Sequence, residues 1–152
     1  GEITAAVVFD AAKDEMFFAE KGAGAWLNES RLRVSGRNKM IEGIFATGVP
    51  FGGTGPLPAT LQDLARLMPV CAGVRRWGAA ALDLAYVAAG RYDGYWERHI
   101  KPWDIAAGIL IVREAGGMVG AIDPAQDPVA DGSIICANDA LFATFAKTIR
   151  NS

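Results

Sequence analysis

The chain has 152 residues, the length of about one domain. Its net charge of −2 argues against a mainly electrostatic nucleic-acid binder, and 51% hydrophobic against 21% charged residues excludes intrinsic disorder. Charged residues interrupt every apolar stretch before the roughly 18 residues that a membrane helix needs, and a chain of this size buries enough surface to fold without disulfide or metal staples.

Cys71 and Cys136 are far apart and lie in apolar surroundings, which suggests a reduced, cytoplasmic protein. The chain opens on a β-rich run, Gly1 to Phe9, with no initiator Met or flexible lead. A start in mid-strand leads to the expectation of a fragment or a cleaved product.

In chain order, Ile3 to Phe9 and Glu15 to Glu20 read as strands around a hairpin loop, Asp10 to Asp14. Glycines punctuate Lys21 to Ala25, and Trp26 to Val34 carries a short strand or two. Ile44 to Thr47 is a short apolar strand ending in Gly48-Val-Pro50. Leu61, Leu64, Ala65 and Met68 share one face of a helix that starts near Pro58 and stops at Pro69. Val70 to Arg75 is a strand, Gly78 to Ala89 an Ala-rich helix stopped by Gly90, and Tyr92 to Glu97 another strand. Pro102 to Ala115 is a helix with Pro at its first position; Ile105, Gly108, Ile109 and Val112 form its buried face. Strands at Met118 to Ile122 and Ser133 to Ala137 precede a last helix, N-capped by Asn138, with Leu141, Phe145 and Ile149 on one face. Strands first and βα alternation afterwards predict an α/β layered domain.

Chemistry concentrates at two strand-to-helix junctions. Asp104 sits in the first turn of the Pro102 helix, where a carboxylate answers free N–H groups and the positive dipole end. A metal-binding role would need a cleft and a second oxygen ligand. Glu97, at a strand end seven residues earlier, offers that neighbour; a solvated Glu beside Arg98 is the alternative. At the second junction, Gly78 and Ala79-Ala80-Ala81 leave room for a ligand to approach the backbone, or equally for tight helix packing. Asp83, the one charge in that helix, reads as a buried, hydrogen-bonded structural acid. Arg75 and Arg76 read as surface ion-pair formers able to attract a phosphate, and His99, the sole histidine, as a surface or loop residue. There is no GxSxG, Walker loop, CxxC or HExxH.

Together these segments resemble the inositol monophosphatase family of Mg²⁺-dependent sugar phosphatases. Pro102-Trp-Asp-Ile-Ala-Ala-Gly108 with Glu114-Ala-Gly-Gly117 is similar to the family's W-D-x-A-A-G…E-A-G-G, the most specific of the matches. Ala19-Glu-Lys-Gly-Ala-Gly-Ala25 with Asn28 and Val34-Ser35 resembles a second family stretch. Arg76 to Leu84, followed by Ala88 to Asp93, is similar to the R-x-G-S-A-A-L-D-L segment and its sequel, with Ala79 where Ser or Thr is common. Thr47-Gly-Val-Pro50 looks like the family's T-G-F-P. The family's D-P-I-D-G-T motif and E-E segment, which supply most metal ligands, do not occur.

The resemblance implies a layered α-β-α-β-α fold of which this chain is the second half, with residues 1–38 as strands of an N-terminal sheet and 39–152 as a C-terminal α/β domain. It implies a Mg²⁺-dependent phosphomonoesterase for inositol monophosphate or a related sugar or alcohol phosphate. Asp104 would bind Mg²⁺, Glu97 would meet a substrate hydroxyl, and the backbone at Gly78, Ala79 and Ala80 would contact the substrate ring. It further implies a cytoplasmic homodimer with a small phosphorylated polyol as substrate and neither membrane nor nucleic acid as partner. With most metal ligands absent, the fragment alone is expected to be inactive. The alternative is a catalytically inactive truncated paralogue that binds a ligand or partner.

Overall fold

The computed structural model describes residues 1–150. β1 (Ala5–Asp10) and β2 (Glu15–Glu20) form an antiparallel hairpin, Ala5 facing Glu20 and Asp10 facing Glu15. β3 (Gly24–Leu27) and β4 (Ser30–Arg31) extend this sheet in the order β1-β2-β3-β4. Period-2 burial along β1 turns Ala6 and Val8 inward and leaves Val7 and Phe9 exposed.

The second sheet comprises β5 (Ile44–Thr47), β6 (Gly73–Arg75), β7 (Gly94–Glu97), β8 (Met118–Gly120) and β9 (Ile134–Ala137), in the order β6-β5-β7-β9-β8. β5 runs parallel to β6 and β7; β9 runs antiparallel to β7 and β8. α2 (Ala80–Ala88) and α3 (Pro102–Glu114) lie between the two sheets, while α1 (Leu57–Leu67) and α5 (Asp139–Arg150) cover the outer face of the second. A single turn, α4 (Pro128–Asp131), follows β8 and packs on α3. The described residues thus build four layers, β-α-β-α, an α/β fold as expected.

Both faces of the central sheet are dry. Tyr95 joins the inner cluster with Phe17, Leu84, Ile105 and Ile111; Trp96, its neighbour on β7, joins the outer cluster with Phe45, Leu67 and Phe145. Each such fully buried side chain stabilises the fold by about 1.5–3 kcal/mol.

Most expected elements are present, some shorter: the strand expected over Val70 to Arg75 reduces to β6, after a 3₁₀ turn at Met68–Val70. α3 buries the expected Ile105, Gly108, Ile109 and Val112, and Asn138 caps α5 by accepting a 2.8 Å bond from the Leu141 N–H. The face expected for α1 is wrong. Leu61 and Met68 are 53% and 62% exposed, and Thr60, Asp63 and Leu67 are buried instead. Asp63 occupies the core side because Arg66 and Arg98 neutralise it, a pairing that hydrophobic periodicity does not register. Composition also gave no signal for the 3₁₀ turn Met40–Glu42 or for α4.

Several motif residues hold the layers together. Glu114 Oε1 accepts the Gly22 and Gly24 N–H groups at 3.1 and 2.9 Å, tying α3 to the first sheet's glycine turn. Asp93 accepts from Ser35 Oγ (2.5 Å) and the Ile44 N–H (2.8 Å) and pairs with Arg37 at 3.2 Å, fastening the segment that joins the sheets.

Candidate active site

The N-terminus of α2, the end of β7 and the N-terminus of α3 open on one cavity of about 430 Å³. Its walls include Gly78, Ala79, Ala80, Glu97 and Asp104, so the five residues to which the family resemblance gives a role meet there.

Asp104 reaches the cavity because Pro102, with its φ preset, starts α3 directly after an extended Lys101. Capping does not occupy its carboxylate: the N-cap of α3 makes no side-chain bond, and among the described residues Asp104 Oδ atoms accept none. The helix dipole still favours an acid there.

Glu97 is half-buried and accepts a 2.7 Å bond from the Tyr95 hydroxyl. Burial raises its carboxyl above the ordinary glutamate value; Tyr95 works against that, the Asp104 charge adds to it, and Arg76 and His99 oppose it. The alternative of a solvated Glu97 beside Arg98 does not hold, because Arg98 turns away to Asp63. Space for Glu97 comes from Gly48: a Cβ there would lie 2.2 Å from Glu97 Oε1. Thr47-Gly-Val-Pro50 therefore has a physical reason for its glycine.

Gly78 has φ +90°, a conformation that L side chains rarely adopt, and turns the chain from β6 into α2. Ala79, the N-cap, has no side chain to offer the first N–H groups of α2, which stay free for a ligand. The alternative reading, helix packing, also holds in part: Ala80 and Ala81 are half-buried and pack against the inner cluster.

The sequence left three contributors in the background. Arg76 lines the cavity with its guanidinium over the Phe51 ring at 4.8 Å, and neither it nor Arg75 forms an ion pair among the described residues. His99 is exposed, as expected, but on the cavity wall. Asp83 is 1% exposed, as expected, yet its Oδ1 has no hydrogen-bond partner, which corrects the hydrogen-bonded reading. Burial first, then Glu97, push its carboxyl up to about 7 against the pull of Arg76.

The charges in the cavity divide, with acids at Glu97 and Asp104 and cationic or N–H donors at Arg76 and the α2 N-terminus. Such a site suits a ligand carrying hydroxyls together with a cation. A Mg²⁺ ion fits Asp104 as one ligand: its carboxylate is unengaged and opens on the cavity. Among the described residues no group of three His, Cys, Asp or Glu forms a complete cage.

Sheets with helices between them and a polar cleft at strand ends define an α/β protein with a cleft where open sheets commonly bind ligands. The model of the inositol monophosphatase family matches residues 1–152, and the chain belongs to that family. It is 45% identical over 150 residues to inositol-1-monophosphatase of Mesorhizobium japonicum, covering 99% of this chain and 56% of that protein. With Nus factor SuhB of Pseudomonas aeruginosa it shares 43% over 152 residues, 99% and 56% of the two chains. The crystal structure of extragenic suppressor protein suhB from Bartonella henselae superposes with a TM-score of 0.95 at 41% identity, over 100% of this chain and 59% of that one. The chain thus spans little more than half the length of these relatives. No helix among the described residues is long and apolar enough to cross a membrane.

Proposed function

We propose that the whole protein is a Mg²⁺-dependent phosphomonoesterase acting on inositol monophosphate or a related sugar or alcohol phosphate. The observation that carries this reading is the convergence of Asp104, Glu97 and the Gly78–Ala80 turn on one cavity, with the Asp104 carboxylate unengaged. Asp104 holds Mg²⁺; Glu97 accepts a substrate hydroxyl; the backbone of Gly78, Ala79 and Ala80 contacts the ring. The remaining metal ligands belong to the part of the relatives that this chain does not match, so residues 1–152 alone turn over little or nothing. In the same reading, residues 1–38 are strands of an N-terminal sheet, 39–152 form a C-terminal unit, and the protein is a cytoplasmic homodimer.

When bound, Mg²⁺ supplies Lewis-acid stabilisation of the leaving oxygen and activation of water. The protein's own part is orientation. Glu97, fixed by Tyr95, selects a hydroxyl at one distance from the phosphate, and the small residues at 78–80 set how deep the ring enters. Arg76 adds a positive wall that favours an anionic substrate.

The test is phosphate release by the purified whole protein from inositol 1-phosphate and two sugar phosphates over a Mg²⁺ titration. The reading expects Mg²⁺-dependent release that Asp104→Asn lowers about a thousandfold, as the loss of a metal ligand worth several kcal/mol would. Absence of release from every ester, or an Asp104→Asn protein unchanged in rate and Mg²⁺ demand, overturns it. A second reading, a non-catalytic partner-binding module, is supported by relatives named Nus factor SuhB. It predicts a folded whole protein without turnover on any ester.

A further inference from the structure

Glu97 points into the cavity; Tyr95 steadies it on its own face of the sheet, and a second set of contacts holds the strand end from the opposite face. Successive side chains on a strand alternate between faces, so Tyr95 and Glu97 share one face of β7 and Trp96 and Arg98 turn to the other. The two clusters follow this division, Tyr95 in the inner and Trp96 in the outer. On the outer side both neighbours of Glu97 end on one carboxylate. Asp63, from α1, is fully buried. Its Oδ2 accepts the Trp96 indole N–H at 3.1 Å and Arg98 Nε at 2.5 Å, while its Oδ1 accepts Arg98 Nη2 at 2.8 Å and Arg66 Nη2 at 2.7 Å. Arg66 and Arg98 go on to donate to the Ile149 carbonyl at 2.9 and 3.3 Å, and Arg66 Nε to that of Thr148 at 3.0 Å.

We infer that Asp63 is a positioning residue for the cavity: by gripping Trp96 and Arg98 on either side of Glu97, it fixes the strand end so that Glu97 faces the substrate. The grip is bidentate and charge-assisted, the stiffest arrangement open to an Arg and a carboxylate. It also fixes where the loop to Asp104 begins. That loop is held once more by the bond from the Ile100 N–H to the Gly132 carbonyl at 2.9 Å. Asp63 touches no substrate; it acts through Glu97. The inference rests on the phosphomonoesterase reading for its kinetics but not for its geometry.

Asp63→Asn keeps the shape and weakens both grips. In the whole protein it should raise KM for inositol 1-phosphate about tenfold with kcat changed less than about twofold, the size of one weakened charge-assisted hydrogen bond passed on to substrate binding. Placed on Glu97→Gln, the same substitution should add less than about twofold, since its target is already removed. Arg98→Lys, which keeps the charge and loses the bidentate fork, should reproduce the effect if Asp63→Asn does not fold. A lowered melting temperature with KM unchanged, or an equal KM rise in the wild-type and Glu97→Gln backgrounds, overturns the inference. A crystal structure of the variant reads the geometry without activity. Glu97 should lose its 2.7 Å bond from Tyr95 and its place in the cavity wall; retention of both overturns the inference. A wild-type protein inactive on every ester fails the phosphomonoesterase reading alone, and the crystal structure then decides the positioning role.

Discussion

Asp83 should make the protein less stable as pH rises from about 4 to about 7, and Asp83→Asn should remove that loss. Its carboxyl lies near 7 in the folded protein against 3.8 unfolded, because it is buried with Oδ1 unpartnered beside Glu97. The folded state therefore binds this proton more tightly than the unfolded state. The group's stabilising contribution is full below about pH 4 and is lost progressively up to about pH 7. The gap between the two values is worth a few kcal/mol above pH 7, and part of it is already lost at pH 5. Asn fills the same space and does not ionise. Denaturant unfolding of wild type and variant, with a chelator present to keep cations out of the cavity, yields the difference in stability at each pH. That difference should move in favour of Asp83→Asn by about 2–3 kcal/mol between pH 5 and pH 8. A difference flat across the range would mean that Asp83 is solvated or paired in solution, and the argument from its burial would fail.

Gly48→Ala should act on Glu97 without touching substrate: its Cβ would fall 2.2 Å from Glu97 Oε1, so KM should rise about tenfold by steady-state kinetics, as for a lost hydrogen bond to a charged group. Glu97→Gln should likewise change KM and substrate preference, by about 1–3 kcal/mol, more than kcat, measured against two sugar phosphates. Residues 1–152 alone should self-associate in sedimentation, because β1 is a sheet edge and Val7 and Phe9 are 60% and 52% exposed on it; a monodisperse monomer refutes this.

The fold was legible wherever periodicity and punctuation agreed. α3 declared itself through Pro102 at its start and Gly116-Gly117 after its end, and α5 through its cap and the Leu141, Phe145, Ile149 stripe. α1 misled because its one acid is silent in a hydrophobicity pattern; Asp63 is inside only because Trp96, Arg98 and Arg66 all donate to it. Strand order was not legible at all. β5 lies between β6 and β7, and β9 between β7 and β8, through pairings that span up to about a third of the chain. Local signals carry no such information.

The cavity was legible in its types of residue and not in its supports. Asp104, Glu97 and Gly78 stand at element ends, where an acid or a glycine leaves a mark in sequence. Gly48 and Asp63 come from distant segments and matter only through Glu97, one by leaving it room and the other by holding its neighbours. Tyr95 holds Glu97 on the inner face of the sheet while Asp63, on the outer helix, holds its neighbours, so Glu97 is constrained from both faces at once. A carboxylate held from two sides loses little freedom when substrate arrives, and that saving is what preorganisation contributes to binding. Substitutions at 48 and 63 should therefore resemble each other in kinetics although no contact joins them, whereas substitution at Asp104 should differ from both in its dependence on Mg²⁺.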